Sequence, residues 1–154
     1  MLLGMLLSFI ITIAYAMLFN APKRTILFAG LIGLMGWNIY KILPMFGAEL
    51  TLSSFAAGTF ISLSSRILSV KMRVPSTNFS IAGIIPLVPG STAYKSMLAF
   101  INADYLEGIT LGVKTMMLAG AIASGLILGL SIFSLWKGIE ARYVRKGTKA
   151  NGAG

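Results

Sequence analysis

Apolar residues run along this chain in long unbroken blocks, not in alternation. Five blocks come near the roughly 20 mostly apolar residues needed to cross the hydrocarbon of a bilayer. They are Leu2–Phe19, Thr25–Leu43, Leu50–Leu68, Ser80–Asn102 and Val113–Trp136. Between them lie Asn20-Ala21-Pro22-Lys23-Arg24, a short turn at Pro44–Glu49, and loops at Ser69–Phe79 and Ala103–Gly112. The pattern predicts an all-α polytopic membrane protein with about five transmembrane helices over residues 1–136. A basic tail, 137–154, follows and is expected to fray beyond Tyr143. Asn38 and Lys41 crowd the end of the second block, so a four-span arrangement with that helix lying in the interface stays open.

Composition agrees with this and narrows the chemistry. The 154 residues are 56% hydrophobic and 11% charged, against about 25% charged in an ordinary soluble domain. There is no cysteine and no histidine, which excludes disulfides, cysteine nucleophiles and the commonest metal ligands. No metal or cofactor is expected. The four carboxylates are Glu49, Asp104, Glu107 and Glu140, and none falls inside a block. A proton path through an intramembrane carboxylate would therefore need another subunit.

Charge sets the expected orientation, because cytoplasmic loops collect Lys and Arg. If five spans alternate from an external N-terminus, one side holds Lys23, Arg24, Arg66, Lys71, Arg73, Lys137, Arg142, Arg145, Lys146 and Lys149. The other side holds Lys41 and Lys114, with Lys95 inside the fourth block. The N-terminus is expected outside and the C-terminus in the cytoplasm of a cell with this chain in its inner membrane. The net charge of +9 could instead suggest nucleic acid, but the tail directly follows an apolar block and offers only Tyr143 for stacking. Contact with the anionic headgroups of the lipid bilayer accounts for it better. Ala14-Tyr15-Ala16 resembles a signal-peptide cleavage site, yet no cation precedes the block and two follow it, which favours a retained helix.

Small residues four apart mark faces where membrane helices approach closely. Gly4, Ser8, Thr12 and Ala16 form such a row, as do Ser54, Gly58 and Ser62, and Ala121, Gly125 and Gly129. Gly30, Gly33 and Gly36 make a similar face on the second block. These rows fit a self-contained bundle, or one in which some faces meet another subunit, whether a homo-oligomer or a different chain.

The fourth block carries the strongest local signal. Pro86 and Pro89 each remove a backbone donor and clash with the preceding turn, at about 3 kcal/mol in a helix interior. With Gly90 beside them, the helix should stop near Ile85 and restart near Gly90. Broken helices at membrane depth recur in transporters, where half-helix N-termini face anionic groups. The new N-terminus would present the N–H groups of Gly90, Ser91 and Thr92, and Lys95 one turn on would lean back over them. A small carboxylate-bearing substrate fits such a patch. The plainer alternative is a kink that shapes the bundle while Lys95 snorkels to the interface.

Phe19-Asn20-x-Pro22 and Ile85-Pro86-x-x-Pro89-Gly90-x-x-x-Tyr94 resemble the threonine/serine exporter (ThrE) family, in its small-subunit branch, which corresponds to the C-terminal half of full-length exporters. The resemblance covers roughly Phe19 to the end of the fifth block. It implies export of small amino acids or of dicarboxylates such as succinate, and a larger membrane subunit as partner. Asn20 and Pro22 would shape the first cytoplasmic turn, Pro86 and Pro89 would hold the break open, and Gly90 and Ser91 would donate. Tyr94 would hydrogen-bond or gate. Lys95 lies outside the family pattern. A subunit of a heteromeric secondary exporter is the expected function. A non-transporting accessory subunit is the alternative, and a small lipid-acting enzyme is disfavoured by the missing catalytic side chains.

Overall fold

The structure is a computed structural model that describes residues 2–151, with side chains described over 3–136. Six α-helices follow in order: α1 (Leu2–Leu18), α2 (Lys23–Ile42), α3 (Leu50–Met72), α4 (Thr77–Ile84), α5 (Gly90–Ile101) and α6 (Tyr105–Asn151). Short 3-10 turns, Leu43–Phe46 and Ile85–Leu87, extend α2 and α4. The fold is all-α, and no strand occurs among the described residues.

Helix ends are set by local chemistry. At the end of α1, Asn20 adopts a left-handed φ of 56°. The Ala21 amide donates to Ala16 O at 3.0 Å and the Asn20 amide to Met17 O at 2.9 Å, the paired bonds of a Schellman end. Pro22 then starts α2 without wasting a donor. The same device closes α5: Ala103 has φ 60°, and the Asp104 amide donates to Ala99 O at 2.9 Å. Asp104 Oδ1 next accepts from the Glu107 amide at 3.2 Å, capping α6 at once.

Packing is inside-out relative to a soluble protein. The buried positions hold Ser8, Thr12, Thr25, Ser53, Ser54, Ser62, Ser65 and Ser96 together with alanines and a few large side chains such as Ile61, Phe79 and Leu87, while most leucine, isoleucine, methionine and phenylalanine side chains line the outside. That exposed apolar surface suits lipid, which rewards it, and would be a liability in water. The inward hydroxyls mostly bond back to their own helix: Ser53 donates to Glu49 O, Ser54 to Leu50 O and Thr12 to Ser8 O, at 2.7–2.9 Å.

The glycine rows meet neighbours within the chain. In the α1–α2 pair, a Cβ on Gly30 would stand 2.7 Å from the Phe9 ring, and one on Gly33 would strike Thr12. A Cβ on Gly4 would stand 3.2 Å from the Trp37 indole nitrogen. Ser8 and Thr12 are buried on this α1 face. α2 lies centrally, against α1, α3 and α4, with Gly36 and Gly83 both set against Ile61 of α3. The most extensive interface joins α3 to α6. A Cβ on Gly58 would stand 2.9 Å from Ile122 O, one on Gly129 2.8 Å from Thr59 O, and one on Gly125 would strike Phe55 O. Ser62 Oγ donates across this seam to Leu126 O at 2.8 Å. Gly58 opposite Ile122, Ser62 opposite Leu126 and Arg66 opposite Phe133 show that α3 and α6 run parallel. The α4–α5 segment therefore carries the chain back along the length of α3.

Several boundaries differ from those expected. The loop placed at Ala103–Gly112 shrinks to Asn102–Asp104, since the Asp104 cap starts α6 eight residues earlier. α3 continues through Ser69 to Met72, and α4 begins at Thr77. α6 extends to Asn151, and residues 152–154 lie outside the described residues. Among the described residues, two helices are long and apolar enough to cross a bilayer, Lys23–Phe46 and Tyr105–Trp136, and the bent pair Thr77–Leu87 with Gly90–Ile101 makes a third. α1 is apolar but short. α3, 23 residues long, has a reach of about 35 Å, but its serines hold its hydropathy down. The second block, weakest on paper, makes one of the two longest apolar helices because Leu43–Phe46 prolongs it.

Candidate substrate path

The break falls where two prolines require it. α4 ends at Ile84, Ile85–Leu87 tightens into a 3-10 turn, and Val88 is extended at φ −57°, ψ 126°. Pro89 is the N-cap of α5, which restarts at Gly90, and the two axes meet at 47°. Pro86 and Pro89 are half-buried. The bend keeps the chain moving onward, in line with the parallel α3 and α6.

No side-chain oxygen caps α5. The Gly90 amide donates to Val88 O at 2.8 Å and the Ala93 amide to Pro89 O at 3.1 Å, which leaves the Ser91 and Thr92 amides leading the helix. The Thr92 hydroxyl turns away to Pro89 O at 2.8 Å, so it does not serve as the cap. Gly90 and Ser91 are exposed, and a Cβ on Gly90 would meet nothing within 4 Å. Tyr94 is 66% exposed. Its hydroxyl makes no hydrogen bond among the described residues. Lys95 is exposed as well.

Depth can be read along α2. A Cβ on Gly36 would lie 3.6 Å from Leu87 Cδ1, and Gly36 is within two residues of the midpoint of Lys23–Phe46, about 3 Å along the axis. The start of the break is thus level with the middle of the most central helix. Asn20 and Pro22 are elsewhere. Pro22 stands 14 positions before Gly36 on α2, about 21 Å away along the helix. They form the α1–α2 turn, where Asn20 also borders an open cavity with Lys23, Ile13 and Met17. The structure therefore groups Pro86, Pro89, Gly90, Ser91, Tyr94 and Lys95 and sets Asn20 and Pro22 at the far end.

A second group lies near the break and shows in the sequence only as a weakness of the second block. Trp37, Asn38 and Lys41 line a cavity of about 330 Å³ with Gly4 and Met5. The signal was present: an amide and an ammonium one turn apart inside an apolar run. What the sequence could not show is that a glycine on α1 lies opposite.

No solved structure matches the chain. The family profile described as threonine/serine exporter, ThrE, matches residues 4–132, a range that takes in α1, the central α2, the whole broken segment and the α3–α6 seam. With that match over most of its length, the chain belongs to the threonine/serine exporter family of membrane transport proteins.

Proposed function

We propose that this protein is one membrane subunit of a heteromeric secondary exporter of small amino acids, threonine and serine, or of dicarboxylates. It works in the inner (plasma) membrane with its N-terminus outside and its C-terminus in the cytoplasm. The observation that carries the proposal is the uncapped start of α5 beside a break level with mid-helix on α2. Free amides and the positive end of a helix dipole suit a carboxylate. Lipid cannot satisfy those amides, so protein or water must reach them.

The openness around Gly90 supports a partner. A transported solute has to be enclosed, and among the described residues nothing stands within 4 Å of a Cβ at that position. A larger subunit of the same family would supply the missing wall. The orientation is supported by the ends of the bundle. The antiparallel α2 and α3 bring Lys23 and Arg24 to the same end as Lys71 and Arg73, with Lys41 and Lys114 toward the other.

Efflux from cells loaded with threonine, serine or succinate tests the proposal. The Pro86→Ala, Pro89→Ala double variant lets the helix heal and returns the amides to its ladder. Efflux should fall to background while insertion and complex levels hold. Normal efflux would remove the break from the mechanism and put a non-transporting accessory role in front. Reporter fusions after Ala48 and after Tyr143 should report opposite sides of the membrane.

A further inference from the structure

The cavity between the first turn of α1 and the last two turns of α2 has a composition that its lipid-facing surroundings lack. Lys41 Nζ stands 5.2 Å from the centre of the Trp37 ring and 5.9 Å from that of Tyr40, so two aromatic faces hold the ammonium at the cavity wall. The Asn38 amide donates to Leu34 O at 3.1 Å, which fixes its plane; its second N–H and its Oδ1 have no partner among the described residues. The Trp37 indole N–H faces Gly4, where a Cβ would come within 3.2 Å of Nε1. Among the described residues that N–H has no acceptor. A cation, an indole donor and an amide donor thus line one space, with no carboxylate among the described residues that line it.

Lys41 lies in the last turn of α2 and is exposed, so its ammonium reaches the space from the outer end of the helix, where the stem is long enough to snorkel. At about 330 Å³ the space is at the small end of ligand cavities.

We propose that the Trp37–Asn38–Lys41 cavity binds an oxyanion, the carboxylate of a small solute or the phosphate of a lipid headgroup. Lys41 supplies the charge, and the Trp37 and Asn38 N–H groups fix the oxygens. Where the ligand is a solute, the site rests on the exporter reading and forms a station toward the external end of the path. Leu87, at the start of the break, packs on Gly36, the residue before Trp37.

The chain has two tryptophans, Trp37 and Trp136, so a Trp136→Phe chain in nanodiscs makes Trp37 the sole indole reporter. Titration with succinate, L-threonine or inorganic phosphate should change its emission saturably, because the bound oxyanion draws the ammonium off the ring. Lys41→Met should raise the half-saturating concentration about tenfold or more, and Lys41→Arg should restore most of the response. If the carboxylates are silent but emission follows the phosphatidylglycerol content of the disc, again only with a cation at 41, the oxyanion is the lipid phosphate. Silence to all probes, or a response unchanged by Lys41→Met, overturns the site. Efflux measured in parallel separates the two proposals. A silent Trp37 with normal wild-type efflux removes the cavity and leaves the exporter, whereas saturable binding without efflux does the reverse.

Discussion

Glycine does opposite work in the α3–α6 seam and at the α4–α5 break. Gly58, Gly125 and Gly129 are buried, and at each a Cβ would collide with the backbone of the facing helix. Gly90 is exposed and faces open space. In the seam the missing side chain lets two helices touch, which in lipid replaces the hydrophobic drive available in water. At the break a Cβ would meet nothing within 4 Å among the described residues. Small residues close the one region, and the other is open.

The sharpest way to break this contrast is to add the same side chain in both places. Gly125→Leu with Gly129→Leu should push α3 and α6 apart, at about 1–3 kcal/mol or more for each site. Thermal unfolding in detergent should show a large loss of stability, and the membrane level should drop. Gly90→Leu should leave stability within about 0.5 kcal/mol yet lower efflux severely. A stable double seam variant, or an unstable Gly90 variant, would invert the comparison.

Smaller effects sharpen it. Asp104→Ala removes the cap that starts α6 and should cost about 1 kcal/mol, read as a modest shift in the unfolding midpoint. Ser62→Ala removes the bond to Leu126 O and should cost about 0.6 kcal/mol, a smaller shift in the same measurement. Lys95→Met should change stability least, since Lys95 is exposed. Its effect on half-saturation in efflux decides whether its ammonium attends the α5 start.

The break was legible in the sequence because proline acts locally: it removes a donor wherever it stands, and no tertiary contact restores that donor. The glycine rows were legible as packing faces, but their partners were not. A row on α3 looks the same whether it meets α6, 64 residues on, or another subunit. The start of α6 was hidden because Asp104, Glu107 and Thr110 lower hydropathy where the helix has already begun. In the structure Asp104 and Glu107 are the cap, and Thr110 donates to Leu106 O. The Trp37 cavity needed two helices to define it, so no single window along the chain contains it.

The parallel seam also has a consequence for the order of biosynthesis. Ser62 finds its acceptor only 64 residues later in the chain, so α3 is made long before the helix it will grip. Until then Gly58 and Ser62 lack the surface they pack against. A polypeptide halted before residue 120 would hold the break and all of α3 but not the surface that Gly58 and Ser62 pack against. The small-residue face of α3 can close only once the middle of α6 has been made.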